Sequence, residues 1–157
     1  EGVHATAPNG AYVFEVELDP ETGAVRIDRI TGVNDLGRVI NPQTTEGQLH
    51  GAIAQAVGEV LMEAVQYDSH GQIINGSLMD YALPRADDLP PMNMSFANTN
   101  SPQSALGVKG VGEVASVGAP GALANAIHDA LTGQSIRHID MPMTPVKLWE
   151  HMNSAAG

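Results

Sequence analysis

The sequence predicts an α+β fold in which β-hairpins pack with three or so helices. Three observations carry that expectation. Apolar residues alternate at period 2 near the N-terminus, recur every three to four residues in the middle of the chain, and gather in two later segments marked by a proline.

In the first element Tyr12, Phe14, Val16 and Leu18 alternate with Glu15 and Glu17, the pattern of a strand with one buried face. Asp19-Pro20-Glu21-Thr22-Gly23 reads as a tight turn, because proline presets φ and glycine accepts φ > 0. Val25, Ile27 and the run to Val33 then form the return strand of a hairpin. Gly37 and Asn41-Pro42 punctuate the next connection. Thr44 or Thr45 is placed to cap the helix that follows, with Glu46 in its first turn complementing the dipole. Leu49, Ile53, Val57, Val60 and Ala64 form its apolar stripe. Its small residues Gly51, Ala52, Ala54, Ala56 and Gly58 would let a neighbouring backbone approach closely.

Val65-Gln66-Tyr67 and Gln72-Ile73-Ile74 flank Asp68-Ser69-His70-Gly71, the pattern of a second hairpin. Tyr81 to Pro91, with three prolines and Asp87-Asp88, reads as a surface loop, and Met92 to Phe96 as a short strand. Beyond a glycine-rich stretch from Gly107 to Gly118, Pro120 is placed in the first turn of a helix. Leu123, Ile127, Ala130 and Leu131 make one face of it, Asn125, His128 and Asp129 the other, and Thr132-Gly133 end it. Thr144 and Pro145 open a last helix with Val146, Leu148 and Trp149.

Composition narrows the function classes. The 157 residues suffice for a core in one domain. Only 7 Lys+Arg stand against 18 Asp+Glu, a net charge of -11 that repels phosphate backbones and anionic membrane surfaces. Cysteine is absent, so this chain builds no disulfide, thiolate zinc site or Cys-ligated iron–sulfur cluster, as fits a reducing compartment. No apolar run approaches the roughly 20 residues of a transmembrane helix. The sequence opens at Glu1 without Met and without a visible signal peptide, as expected of a processed or excised piece.

The segment 107–121 is the most distinctive. Glycines bring backbone N–H groups close to a ligand, and one carboxylate, Glu113, lies among them. Such a residue is either a solvated loop glutamate or a positioned acid/base. Gly110-x-Gly112-x-x-Ala115 partly matches a dinucleotide fingerprint. It lacks a long apolar strand leading in, would set Glu113 beside a pyrophosphate, and is followed by its helix several residues too late. Glu46 and His50 lie four apart on a helix with no third metal ligand placed beside them, the spacing of a surface hydrogen-bonded pair. Ser101 and Ser104 have no nucleophile elbow. Gln48 and Gln55, two turns apart, share one helix face and either contact a ligand or lie at a subunit surface.

Glu46-Gly47-Gln48-Leu49-His50-Gly51-Ala52-Ile53-Ala54-Gln55 resembles the EGQ-x-HGG-x-AQG helix of the xanthine dehydrogenase, aldehyde oxidase and carbon monoxide dehydrogenase large-subunit family. Val108-Lys109-Gly110-Val111-Gly112-Glu113 resembles that family's VKGVGE active-site loop. Gly37-Arg38-Val39-Ile40-Asn41-Pro42, Met79-Asp80-Tyr81-Ala82-Leu83-Pro84 and His138-Ile139-Asp140-Met141-Pro142 follow in the same register, so the likeness covers nearly the whole chain. Departures are small: Ala56 stands where the family often has Gly, and Gly121 where Pro is common.

The resemblance implies that residues 1–157 are the C-terminal portion of a molybdopterin-binding domain within a larger subunit, inactive alone. It implies a molybdopterin-type molybdenum cofactor here, and iron–sulfur clusters and FAD on partner domains or subunits. Glu113 would be the catalytic base in oxidative hydroxylation of an aldehyde, purine or N-heterocycle, or in CO oxidation, with water supplying the oxygen. Gln48 would contact the molybdenum centre or its pterin, with Gln55 and the backbone of Lys109, Gly110, Val111 and Gly112 as further cofactor contacts. No residue of this chain is expected to ligate the metal. Expected partners are the rest of the subunit, the iron–sulfur and flavin components and a small-molecule substrate, with no nucleic acid and no membrane, in the cytoplasm. The alternative is a family-like domain without catalysis that serves assembly.

Overall fold

A computed structural model describes residues 6–133 and 138–154. Strands β1 (Asn9–Leu18) and β2 (Val25–Asp35) form the expected antiparallel hairpin, paired from Leu18–Val25 to Asn9–Asp35 with a bulge between Glu15 and Val16. At its turn the Asp19 carboxylate accepts from the Glu21 amide at 2.9 Å and the Thr22 hydroxyl at 2.6 Å. Strand β3 (Met92–Ala97) adds parallel to β2, from Ile30–Met92 to Asp35–Ala97, so β2 is central in the order β1-β2-β3.

Helix α1 (Pro42–Leu61) begins earlier than expected. The Asn41 side chain accepts from the Thr44 amide at 3.1 Å, and Pro42 takes the first helical turn, where its missing N–H costs nothing. Thr44 and Thr45 are therefore inside the helix, and Glu46 lies past its first turn. The stripe holds: Leu49, Ile53, Val57 and Val60 are fully buried, while Ala64 falls beyond the helix end.

Helix α2 (Val114–Ala130) starts immediately after Glu113, which makes Pro120 an interior residue rather than an opening one. Ala115, Ala119 and Pro120 are buried, so packing carries the helix through a position where proline withholds one backbone bond. One objection to a dinucleotide loop, a late helix, is thereby removed. The others stand, because an irregular segment and not a strand leads into Gly107. Leu123, Ile127 and Leu131 face the core, whereas Ala130 is exposed. Helix α3 (Pro145–Ser154) opens with the Thr144 carbonyl accepting from the Leu148 amide at 2.9 Å.

The second predicted hairpin is only a chain reversal. One bridge, Tyr67–Ile73, joins its arms, and the Asp68 carboxylate caps the bend by accepting from the amides of His70 and Gln72. Its residues are mostly exposed, so no buried face extends the pairing into strands. The loop before β3 carries one 3-10 turn, Ala86–Asp88, and lies on the surface as expected.

Helix α2 packs on β1, and α1 packs on α2. Phe14, Ile27 and Ile30 from the sheet, the apolar faces of both helices, and Ile139, Met143 and Leu148 form one core. Each such side chain contributes about 1.5–3 kcal/mol on burial. The packing of α1 against α2 sets the second turn of α1 beside the loop that leads into α2.

Candidate active site

The segment 107–113 is tied to the end of β2 at its base. The Gly107 carbonyl accepts from the amides of Arg38 at 3.0 Å and Ser101 at 3.2 Å, and the Lys109 amide donates to the Leu36 carbonyl at 2.9 Å. Two backbones meet here at a distance only glycine permits. Gly37 has φ +61, and a β-carbon on it would stand 2.2 Å from the Gly107 carbonyl oxygen. The serines between β3 and the loop also shape this turn: Ser104 accepts from the amides of Gly107 at 2.9 Å and Val108 at 3.3 Å.

Below the loop lies a closed polar knot. The Asp35 and Lys109 side chains are each only 9% exposed, with Nζ 2.9 Å from Oδ2. The Lys109 ammonium also donates to the Thr99 hydroxyl at 2.9 Å, and that hydroxyl donates to Asp35. The amides of Gly37 and Thr99 donate to the other carboxylate oxygen at 3.0 and 3.1 Å. The Thr99 hydroxyl first, then the Lys109 ammonium and the two amides, hold the Asp35 carboxyl well below the usual carboxylate range. Lys109 thus faces inward, and only its backbone faces the loop. Sequence reasoning missed Asp35 and Thr99; the visible sign was the polar doublet Asn34-Asp35 ending a strand of buried apolar positions.

Above the knot the loop opens outward. Glu113 is the N-cap residue of α2, but its carboxylate makes no capping bond and is exposed. Its carbonyl accepts from the Ser116 hydroxyl at 2.9 Å, which fixes its backbone. The Gln48 side chain reaches the same place: a β-carbon on Gly112 would stand 3.7 Å from its Oε1. A β-carbon on Gly110 would meet nothing within 4 Å. Gly110 to Glu113 line a cleft of about 560 Å³ whose far wall is Pro8, Asn9 and Gly10.

The fold therefore brings Gln48, Gly110, Val111, Gly112 and Glu113 together. Gln55 lies two turns further along α1, exposed, with no hydrogen bond to the loop among the described residues. Among those residues no three His, Cys, Asp or Glu side chains gather as a metal-ligand set, and the expected hydrogen-bonded pair of Glu46 and His50 is not formed. A second cleft, about 700 Å³, lies between β2 and the Asp87–Pro91 loop, and none of the expected site residues lines it. No helix among the described residues is long and apolar enough to cross a membrane.

The site offers backbone amides, one carboxamide and one carboxylate beside open space that glycines leave unfilled. Neutral donors of this kind suit a cofactor rich in oxygen acceptors, and the lone carboxylate suits proton transfer.

Comparison with known proteins identifies the family. A family model, the molybdopterin cofactor-binding domain, matches residues 1–90. The nicotine 6-hydroxylase large subunit of Paenarthrobacter nicotinovorans is 39% identical over 140 residues, covering 89% of this chain and 17% of its own length. Two solved structures share the fold. One is a Cu,Mo-CO dehydrogenase, with TM-score 0.90 and 34% identity over 95% of this chain and 19% of that one. The other is quinoline 2-oxidoreductase from Pseudomonas putida 86, with TM-score 0.84 and 39% identity over 88% and 18%. The chain spans less than a fifth of the length of these relatives.

Proposed function

The chain belongs to the molybdopterin cofactor-binding domain family, and on that premise we propose that it supplies the catalytic base and part of the cofactor cradle of a molybdenum hydroxylase. The whole enzyme would hydroxylate an aldehyde, purine or N-heterocycle, or oxidise carbon monoxide, with water as the oxygen source. The relatives include large chains named for nicotine hydroxylation and for CO dehydrogenation, which supports the class without choosing the substrate.

One observation carries the reading: an exposed, uncapped carboxylate ends a glycine loop whose Gly112 lies beside the Gln48 carboxamide. When bound, the cofactor supplies a two-electron acceptor and a metal that acidifies an oxygen ligand. Glu113 would take a proton onto a carboxylate oxygen, from a backbone position fixed by Ser116 and by α2. Gln48 and the amides of Val111 and Gly112 would hold oxygen acceptors of the cofactor, while the Lys109 side chain stays below. Gln55 serves this site only if the cofactor extends along α1. Cofactor, substrate pocket and electron exit are completed by the rest of the large subunit and by iron–sulfur and flavin components.

The test is Glu113→Gln in the assembled complex. Turnover should fall about 100- to 10,000-fold, the usual worth of a positioned general base, with molybdenum content unchanged. Near-wild-type turnover would overturn the role. A folded wild-type complex without molybdenum would favour the assembly role instead.

A further inference from the structure

We propose that Asp35, Lys109 and Thr99 form a positioning device for Glu113, locking the N-terminal root of the glycine loop to the end of β2. The inference rests on the reading of Glu113 as the base. A glycine loop loses more conformational freedom on ordering than any other segment, so a base carried on it needs an anchor on each side. The C-terminal anchor is α2, through the Ser116 bond to the Glu113 carbonyl. On the N-terminal side Gly110 and Gly112 are exposed, Val111 is only half-buried against the core, and the Gly110 amide donates one hydrogen bond, to the Thr6 hydroxyl at 3.2 Å, so the firmer hold lies one residue earlier.

Lys109 is the last residue before that stretch, and it is held three times. Its amide bonds the Leu36 carbonyl, its ammonium bonds Asp35, and the same ammonium bonds Thr99. The Asp35 carboxylate gathers donors from three separate segments: Gly37 after β2, Thr99 after β3, and Lys109 in the loop. A largely buried pair in which the carboxylate accepts four hydrogen bonds and the ammonium donates two is directional and tolerates little displacement. Apolar packing could hold the loop equally firmly but would not define where residue 109 ends. Lys109 thus acts on the chemistry through Glu113, touching neither substrate nor cofactor with its side chain.

The experiment uses the assembled, molybdenum-loaded complex bearing Lys109→Met, Asp35→Asn, Thr99→Val or Lys109→Arg in the large subunit. Amide hydrogen exchange is read at residues 110–113 and in α1. Turnover is read on carbon monoxide, benzaldehyde, xanthine and quinoline, using whichever the wild-type complex oxidises. In Lys109→Met and Asp35→Asn, exchange at 110–113 should rise about tenfold or more while α1 keeps its protection. kcat should fall about 10- to 100-fold, as for a reacting group displaced by about 1 Å, with KM and molybdenum content held. Lys109→Arg, which keeps the charge, should recover most of both. Unchanged exchange and kcat in folded Lys109→Met would overturn the proposal, as would loosening that extends through α1 with loss of molybdenum. Should those two variants fail to fold, Thr99→Val decides: raised exchange confined to 110–113 supports it, and unchanged exchange sinks it. Glu113→Gln with normal turnover would refute the base while leaving the exchange results intact, so the two failures are distinguishable.

Discussion

Two irregular segments flank helix α1, and they are built in opposite ways. The loop 107–113 is roped to β2 by backbone bonds and a buried ion pair. The arm 65–84, beyond the helix C-terminus, is held by its own turns, by the Asn75 amide bridging Gln66 and Ala64, and by Tyr81 donating to Glu63. It leaves Leu78 and Met79 80% and 94% exposed. One segment spends polar groups to hold a shape, whereas the other leaves apolar surface uncovered. Precision on this scaffold comes from hydrogen bonds between distant segments, not from hydrophobic content.

The sharpest way to break that contrast is a matched pair of glycine substitutions. Gly37 and Gly71 both have positive φ, but a β-carbon on Gly37 meets the Gly107 oxygen at 2.2 Å while one on Gly71 meets nothing within 4 Å. Gly71→Ala should cost only the backbone penalty of about 1–2 kcal/mol. Gly37→Ala adds a forced backbone displacement to that penalty and should cost about 3 kcal/mol or more. Denaturant melts of the large subunit check both, and equal losses would end the contrast.

A smaller effect should appear with pH. The Asp35 carboxyl is held below the usual range in the folded state, so the unfolded chain binds its proton first as pH falls. The resulting stability is complete above the ordinary carboxylate pKa of about 4 and is lost progressively below it. In Asp35→Asn that part of the acid limb should flatten in pH-dependent melts. Smallest of all, Leu78→Ser and Met79→Ser should change the stability of this domain by no more than about 0.5 kcal/mol. A larger loss would mean that the arm packs on the core after all.

Local pattern carried the hairpin, the α1 stripe, β3 and α3, because each depends on residues near in sequence. It misplaced the start of α1, since Asn41 competes with two threonines as the cap and proline at the first turn decides for it. It misplaced the start of α2 because burial of Ala115 and Ala119 outweighs the proline penalty, and no period reports that. At the site, Glu113 and Gln48 stood out by chemistry and resemblance. Asp35 and Thr99 did not, because their importance lies in a partner remote along the chain.

That remoteness has a kinetic side. The β1–β2 hairpin joins residues a short turn apart, but Asp35 and Lys109 are separated by 74 residues. Closing so long a loop carries an entropic cost that must be met before the contact returns anything. Residues of α1, the arm and β3 all lie inside that loop, and ordering them first shortens the chain that the knot must close. Refolding of this domain is therefore expected to secure the β1–β2 hairpin before it ties the loop 107–113 to β2.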